Sequence, residues 1–189
     1  AFGKTVVAVN IIRSVIGKPL PCGTKRRIYL VAPAIELIEQ TVQMLISEGI
    51  PEYEIGVIQR DHERTNTMAQ VQVASVQTLI SWKKRNKHIP MAQYVIIDEC
   101  HRWFDFYEEW MAMPEWRNCK WIGMSATPWT KGLGKFFDPD PIRPVTTQCL
   151  MDTINPLTGR SFLAPFRVML PEFPDLTGVG TTAGDYNKG

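Results

Sequence analysis

Two adjacent carboxylates, Asp98 and Glu99, are the residues of this chain best placed for chemistry. They follow the apolar run at residues 94–97, which predicts a strand covered on both faces. In an open α/β sheet, ligands bind outside the carboxyl ends of the strands, so an acidic pair there suits metal binding or activation of a water molecule. A solvated acidic turn explains the same pattern equally well when the pattern is taken alone.

Gly3, Lys4 and Thr5 form a second candidate site at the start of the chain. They open a segment rich in valine and isoleucine that predicts a helix, and they match five of the eight positions of G-x-x-x-x-G-K-[ST], whose first glycine would fall before residue 1. At a helix N-terminus the backbone N–H groups face phosphates, Lys4 would neutralise the β- and γ-phosphates, and the Thr5 hydroxyl would bind magnesium. A chance occurrence of Gly-Lys-Thr is the alternative.

The two patterns together predict a site that binds two cofactors, ATP and Mg²⁺, and hydrolyses the ATP. Such a site needs one carboxylate that holds the metal and a neighbouring carboxylate that orients or deprotonates the attacking water. We expect Asp98 to take the first role and Glu99 the second, with Lys4 on the phosphates.

Strands and helices alternate along the chain, as they do in an α/β fold. Strands are predicted at residues 28–31, 55–58, 71–74, 94–97 and 121–124, and helices at residues 6–16, 35–48, 75–85 and 103–113. This alternation implies right-handed crossovers and a mostly parallel sheet with helices on both faces. After residue 128 only a short helix near 147–153 and a strand near 166–170 are expected.

Composition narrows the functional classes. The net charge of +2 excludes a broad basic field, so any nucleic-acid contact must be local. The four cysteines include no CxxC pair, so neither zinc nor a disulfide framework is indicated, and Cys100 beside His101 has no second ligand pair at the required spacing. No apolar run approaches the roughly 20 residues of a membrane span, so we expect a cytoplasmic protein without a membrane partner.

Four ordered blocks of sequence resemble a known family. They are Gly3-Lys4-Thr5, residues 32–41 (APAIELIEQT), residues 98–101 (DECH) and residues 125–128 (SATP), with a weaker fifth block at residues 73–79 (VASVQTL). This set is similar to that of the superfamily-two helicases of the DEAD/DEAH-box type, and within them to the bacterial and phage DNA helicases related to the XPB repair group. The resemblance covers most of residues 1–128 and implies a RecA-like P-loop NTPase domain.

The resemblance implies roles for further residues. Lys4 and Thr5 would bind nucleotide and magnesium together with Asp98, while Glu99 activates water. His101, Ser125 and Thr127 would link the state of the nucleotide to movement of a second domain. An ordinary turn at the end of a strand is the alternative for residues 125–128.

Residues 32–41 resemble the segment with which the family contacts nucleic acid, where a strand end meets a helix N-terminus and offers backbone N–H groups to phosphates. Ile35 stands where many relatives carry arginine, so a phosphate contact by that side chain is not expected. Helix capping is the alternative role of Ser75. The resemblance implies nucleic-acid contacts at six residues: Pro33, Ala34, Gln40, Ser75, Gln77 and Thr78.

Two further clusters have simpler explanations. The basic run of Lys83, Lys84, Arg85 and Lys87 suits a solvated helix C-terminus, where the helix dipole favours cations. Aromatic side chains between residues 103 and 110 could stack on bases, but their position just after a buried strand favours core packing.

We therefore expect residues 1–170 to form the first RecA-like domain of a motor that couples ATP hydrolysis to movement on DNA, with RNA as an alternative substrate. Residues 171–189 would be a linker toward a second RecA-like domain, whose arginines the family requires for hydrolysis, so the chain alone should be nearly inactive. Two rivals stay open: a duplex-DNA translocase of the restriction or remodelling type that does not unwind, and a nucleotide-dependent binding module that never hydrolyses ATP.

Overall fold

The computed structural model describes residues 4–60, 62–127, 132–137, 152–154, 156, 159–161, 181–182 and 185–186. The chain divides into two compact units, Ala1–Asp140 and Pro141–Gly189. Among the described residues, no helix is both long enough and apolar enough to cross a bilayer.

Five short strands form one sheet in the first unit. They are β1 (Ile28–Ala32), β2 (Ile55–Ile58), β3 (Val71–Ser75), β4 (Tyr94–Ile97) and β5 (Lys120–Gly123). Their order across the sheet is β2-β3-β1-β4-β5, and every neighbouring pair is parallel. All residues of β1, β2 and β3 are buried, because helices or loops cover both faces of a parallel sheet. The predicted α/β class with a parallel sheet is confirmed.

Four helices cover the two faces of this sheet. The pair α1 (Lys4–Ile16) and α2 (Leu37–Ser47) lies on one face, where Ile12 and Val42 share a cluster with Leu30 of β1. The pair α3 (Val76–Lys84) and α4 (Asp105–Met111) lies on the other, where Leu79 and Trp110 share a cluster with residues 29 and 31 of β1. Successive side chains of β1 thus enter opposite cores, as the alternation of a strand requires.

Three apolar residues of the predicted helices are exposed. Val6 and Val7, in the valine- and isoleucine-rich segment that predicts α1, are 51% and 54% exposed, and Ile35, the first residue of the helix predicted at 35–48, is 43% exposed. Val6 and Val7 are exposed because α1 is covered on one side only, and Ile35 is exposed because it precedes α2. The residues of α1 that face the sheet recur at helical spacing: Ala8, Val9, Ile12 and Val15.

The aromatic residues that follow β4 pack into the core. Phe106, Tyr107 and Trp110 are buried, and the Trp110 ring meets Trp116 and Trp121 edge-on at centroid distances of 4.8 and 5.0 Å. Core packing, preferred from the sequence over base stacking, is confirmed for these three side chains.

The second unit is described only at scattered positions. An isolated antiparallel bridge joins Ile154 to Ser161, and β6 (Thr181–Thr182) pairs antiparallel with β7 (Asp185–Tyr186). The strand predicted at residues 166–170 and most of the helix predicted at 147–153 lie outside the described residues. The division into a domain at 1–170 and a linker at 171–189 stays a prediction.

Candidate nucleotide-binding site

The acidic pair lies at the carboxyl end of β4, the strand between β1 and β5. The backbone N–H of Asp98 donates to the carbonyl of Val31 at 3.0 Å, which extends the pairing of β4 with β1 by one residue. The Asp98 carboxylate then accepts a hydrogen bond from the backbone N–H of Glu99 at 2.9 Å. Glu99 has a left-handed φ of 47°, so the chain turns sharply where the strand ends.

Lys4 brings the first turn of α1 to this acidic pair. Its ammonium donates a hydrogen bond to Oε1 of Glu99 and lies 3.6 Å from Oδ1 of Asp98. All three side chains are partly buried, so the ion pairs are screened less than surface pairs. The two patterns singled out from the sequence therefore meet in one site.

Two predicted members of the phosphate-binding loop are described incompletely or not at all. Gly3 lies outside the described residues, and of Thr5 the structure describes only the backbone, in the first turn of α1. Their predicted contacts with nucleotide and magnesium stay predictions.

A cleft of about 100 Å³ opens beside Lys4, Asp98 and Glu99. Six of its lining residues escaped the sequence reasoning: Ala8, Leu30, Ala32, Thr41, Met44 and Met124. Thr41 is the last residue of the block at residues 32–41, and Met124 directly precedes Ser125. Their positions in or beside the motifs could therefore have indicated that they lie near the site. Nothing in their residue types, however, indicated that they face a cleft.

The residues predicted to couple the nucleotide to movement are also brought together. Nδ1 of His101 lies 2.9 Å from the Ser125 hydroxyl and 3.3 Å from Oε2 of Glu99. The Ser125 hydroxyl also accepts a hydrogen bond from the backbone N–H of Thr127 at 2.9 Å. A chain of polar contacts therefore runs from Lys4 through Glu99 and His101 to the turn after β5.

Backbone hydrogen bonds fix the two loops that carry this chain. The N–H of Met124 donates to the carbonyl of Ile97 and the N–H of Cys100 donates to the carbonyl of Met124, each at 2.9 Å. Burial raises the pKa of the Cys100 thiol to about 11, so this thiol is protonated at neutral pH and packs as a small apolar group.

The predicted nucleic-acid contacts divide into exposed and buried residues. Gln40 and Gln77 are exposed and Ala34 is half-buried, whereas Pro33 is buried. Ser75 and Thr78 are 0% and 9% exposed, and their contacts with nucleic acid stay predictions.

Ser75 and Gln77 form a small network instead. Ser75 occupies the N-cap position of α3, but it makes no side-chain capping bond, which corrects the capping alternative. Its hydroxyl donates to Oε1 of Gln77 at 2.7 Å, and Nε2 of Gln77 donates to the carbonyl of Pro33 at 2.6 Å. Gln77 thus ties the loop after β1 to the start of α3.

The donor set of the cleft fits magnesium better than a softer metal. Mg²⁺ is held by one or two carboxylates together with substrate phosphates and water, and Asp98 and Glu99 supply two carboxylates beside a lysine suited to phosphate. The described part of the chain contains no group of three or more His, Cys, Asp or Glu side chains that could hold a metal ion.

Comparison with solved structures shows a shared fold. The Hef helicase domain of Pyrococcus furiosus matches with a TM-score of 0.52 and 19% identity over 67% of this chain and 28% of that chain. The UvsW helicase of bacteriophage T4 matches with a TM-score of 0.50 and 18% identity over 65% of this chain and 43% of that chain. Dbp5 of S. cerevisiae, bound to RNA and ADP BeF3, matches with a TM-score of 0.50 and 19% identity over 66% of this chain and 34% of that chain.

The chain thus spans less than half the length of each of these structures. No curated protein sequence matches it. A sequence model of the family described as type III restriction enzyme, res subunit, matches residues 2–130, which include every block of the motif set. The chain therefore belongs to the type III restriction enzyme res subunit family, and its parallel sheet is that of the RecA-like helicase domains.

Proposed function

We propose that this chain is the first motor domain of an ATP-dependent helicase or translocase that moves on DNA. The observation that carries the proposal is the contact of the Lys4 ammonium with Glu99 and Asp98 at the carboxyl end of β4. It joins a phosphate-binding cation at a helix N-terminus to the two carboxylates that Mg²⁺-dependent hydrolysis requires.

In this proposal the Lys4 ammonium exchanges partners during turnover. Without nucleotide it neutralises Glu99; the β- and γ-phosphates of ATP then attract it, because a phosphate carries more charge than one carboxylate. Glu99 is thereby released to orient the attacking water. Asp98 and the Thr5 hydroxyl would hold Mg²⁺, which would supply neutralisation of phosphate charge. Gly3 would contribute its backbone N–H.

The release of Glu99 would reach the second domain through His101. Nδ1 of His101 lies within 3.3 Å of Glu99 and 2.9 Å of Ser125, so a movement of the Glu99 carboxylate changes the hydrogen bonding of the turn that holds Thr127. Small hydroxyl side chains suit this task because they exchange hydrogen bonds at low cost.

Nucleic acid would lie across the loop after β1 and the start of α3. Exposed Gln40 and Gln77, half-buried Ala34 and the backbone of Pro33 are proposed to contact its sugar-phosphate backbone, with buried Ser75 and Thr78 supporting them from beneath. We favour DNA because of the resemblance to DNA helicases related to the XPB repair group; RNA is the alternative, since Dbp5 is bound to RNA.

A second RecA-like domain outside this chain completes the motor in this proposal. The coverage of only 28% to 43% of the matched structures supports it. That domain would supply arginines to the transferred phosphate.

Substitution of Glu99 tests the proposal in a protein that carries both domains. Glu99→Gln keeps the size of the side chain but removes the base, so ATP should still bind while DNA-stimulated turnover falls roughly 10²-fold or more. Glu63→Gln, at an exposed carboxylate outside the proposed contacts, is the matched control and should turn over like the parent. Equal, measurable turnover of the parent and Glu99→Gln would refute the hydrolytic role of Glu99. Absence of turnover in the parent would favour a binding module that never hydrolyses ATP.

The family match favours a second candidate, a restriction-type translocase that moves on duplex DNA without separating its strands. The two candidates share the ATP site and differ in the product of movement. Strand-displacement and triplex-displacement assays on the same protein distinguish them, since a pure translocase removes a third strand but leaves the duplex intact.

A further inference from the structure

Two segments of the chain, residues 84–93 and 112–120, carry more positive charge than the whole chain does. They contain five cations, Lys84, Arg85, Lys87, Arg117 and Lys120, against a single carboxylate, Glu115, which is a net charge of +4. Because the whole chain has a net charge of +2, all other residues together sum to −2. The positive charge is therefore local.

Both segments lie at the amino edge of the sheet, opposite the nucleotide site. Since α3 follows β3 and α4 follows β4, both helices run back from the carboxyl edge and end at the amino edge. An ion pair between Lys83 and Glu109 joins the two helix ends. The N–H of Lys120 donates to the Gln93 carbonyl at 2.9 Å, so the starts of β4 and β5 lie side by side.

The end of α3 does not need these cations as caps. The N–H of Lys87 donates to the carbonyl of Trp82 at 2.8 Å, and the N–H of Asn86, with a left-handed φ of 52°, donates to the carbonyl of Lys83 at 3.0 Å. This is a Schellman motif, in which the backbone itself satisfies the last carbonyls of the helix. The same turn holds the Lys87 ammonium 3.7 Å from the centre of the Trp82 ring.

The five cations are exposed. Lys25 and Lys83 are paired with Glu54 and Glu109, respectively. No described residue forms an ion pair with Lys84, Arg85, Lys87, Arg117 or Lys120. A surface that keeps five cations without carboxylate partners favours a ligand that brings its own negative charges.

We propose that these five residues form an amino-edge basic surface that binds the phosphate backbone of duplex DNA. Cations spread over two helix ends and the start of a strand suit a repeating anion better than a single carboxylate, and lysine binds phosphate as a point charge. The identity of the polyanion rests on the proposed function. Because the surface lies on the opposite edge from Lys4 and Glu99, DNA bound there does not compete with ATP.

The salt dependence of DNA binding tests this surface. The triple variant Lys84→Gln, Lys87→Gln, Lys120→Gln of this chain is titrated against a fluorescent duplex of mixed sequence by anisotropy. The slope of log K against log salt is negative, and each lost phosphate contact makes it shallower by about 0.9. The slope of the variant should therefore be shallower than that of the parent by about 3. Between about 50 and 200 mM salt, the affinity of the variant then falls about 40-fold less than that of the parent.

Two control variants test whether the change in slope comes from the lost charges of this surface and not from substitution or from loss of any lysine charge. The variant Lys84→Arg, Lys87→Arg, Lys120→Arg keeps every charge and should keep the parent slope. Lys25→Gln removes a cation that Glu54 already balances at 3.0 Å, and should leave the slope nearly unchanged. Thermal melting monitored by circular dichroism confirms that each variant is folded.

Three outcomes would overturn the proposal. The first is that the parent chain binds DNA and the glutamine variant shows the same slope as the parent. This result would not affect the proposed motor function. The second is binding of a polyglutamate peptide but not of duplex DNA, which assigns the surface to an acidic protein. The third is the absence of DNA binding by the parent chain; the turnover assay on Glu99→Gln then decides separately whether the motor function fails as well.

Discussion

Glu99 combines a reactive position with a backbone conformation that few residues other than glycine adopt. Its φ of 47° is left-handed, and the hydrogen bond from its own N–H to the Asp98 carboxylate holds that conformation. The left-handed turn directs the carboxylate toward Lys4 and His101 instead of letting it continue the alternation of β4. Strain of this kind is found at functional sites, where it costs on the order of 1–3 kcal/mol.

The strain can be measured by comparing two substitutions that both remove the carboxylate. Glu99→Gly relieves the left-handed conformation, whereas Glu99→Ala retains a Cβ and therefore the strain. We expect the glycine variant to be more stable than the alanine variant by on the order of 1 kcal/mol, the reverse of their usual ranking. Urea denaturation of both variants checks this order, and a more stable alanine variant would show that the backbone at residue 99 is unstrained.

At the scale of elements, the described residues between β2 and β3 form no helix and fold back onto the sheet. The N–H of Val57 donates to the Arg64 carbonyl at 2.9 Å, and the buried Gln72 amide donates to the carbonyls of Asn66 and Ala69, each at 2.8 Å. Gly56 lies beneath this loop, where a Cβ would be 2.1 Å from the Asn66 carbonyl oxygen and 3.0 Å from the Ala69 side chain. The absence of a side chain at residue 56 therefore allows the loop to approach.

Gly56→Ala should accordingly destabilise the domain by about 1–3 kcal/mol, because backbone has to move to admit the methyl group. Gly134→Ala is the matched control, since nothing lies within 4 Å of a Cβ at that position. Chemical denaturation of both variants measures the difference. Equal stabilities would mean that residues 64–69 are not packed on β2 as described.

At the scale of the whole molecule, the two edges of the sheet differ in chemistry. The carboxyl edge holds Lys4 with Asp98 and Glu99 beside the cleft, while the amino edge holds five exposed cations without described ion-pair partners. A parallel sheet creates this separation, because all strands end on one side and all helices return to the other.

The domain by itself should hydrolyse ATP poorly. In the proposed motor, arginines from a second RecA-like domain would contribute roughly 10³ to 10⁵ in rate, and the proposed site takes none from this chain. The measurement is ATP turnover of this 189-residue chain with and without DNA, beside a protein that carries both domains. Robust DNA-stimulated turnover by the chain alone would contradict the requirement for a second domain.

Local sequence predicted the elements and the residues of the candidate site. The apolar run before Asp98 predicted β4, and the alternation of strand and helix patterns predicted the parallel sheet. Gly49, with a φ of 83°, follows α2 directly after the helix predicted at residues 35–48. These features were predictable because apolar periodicity and backbone conformation depend on residues close together in the chain. The motif order also predicted that Lys4 and Glu99 share a site, although they are 95 residues apart.

Only the tertiary structure decided which side chains face the cleft, the solvent or the core. Thr41 and Met44 line the cleft, Ser75 and Thr78 are buried, and Ile35 is exposed. Burial depends on which neighbouring element covers a residue, and that follows from the strand order β2-β3-β1-β4-β5, not from any local pattern. The same reason applies to the amino-edge basic surface, whose two segments meet only because β4 and β5 are neighbours.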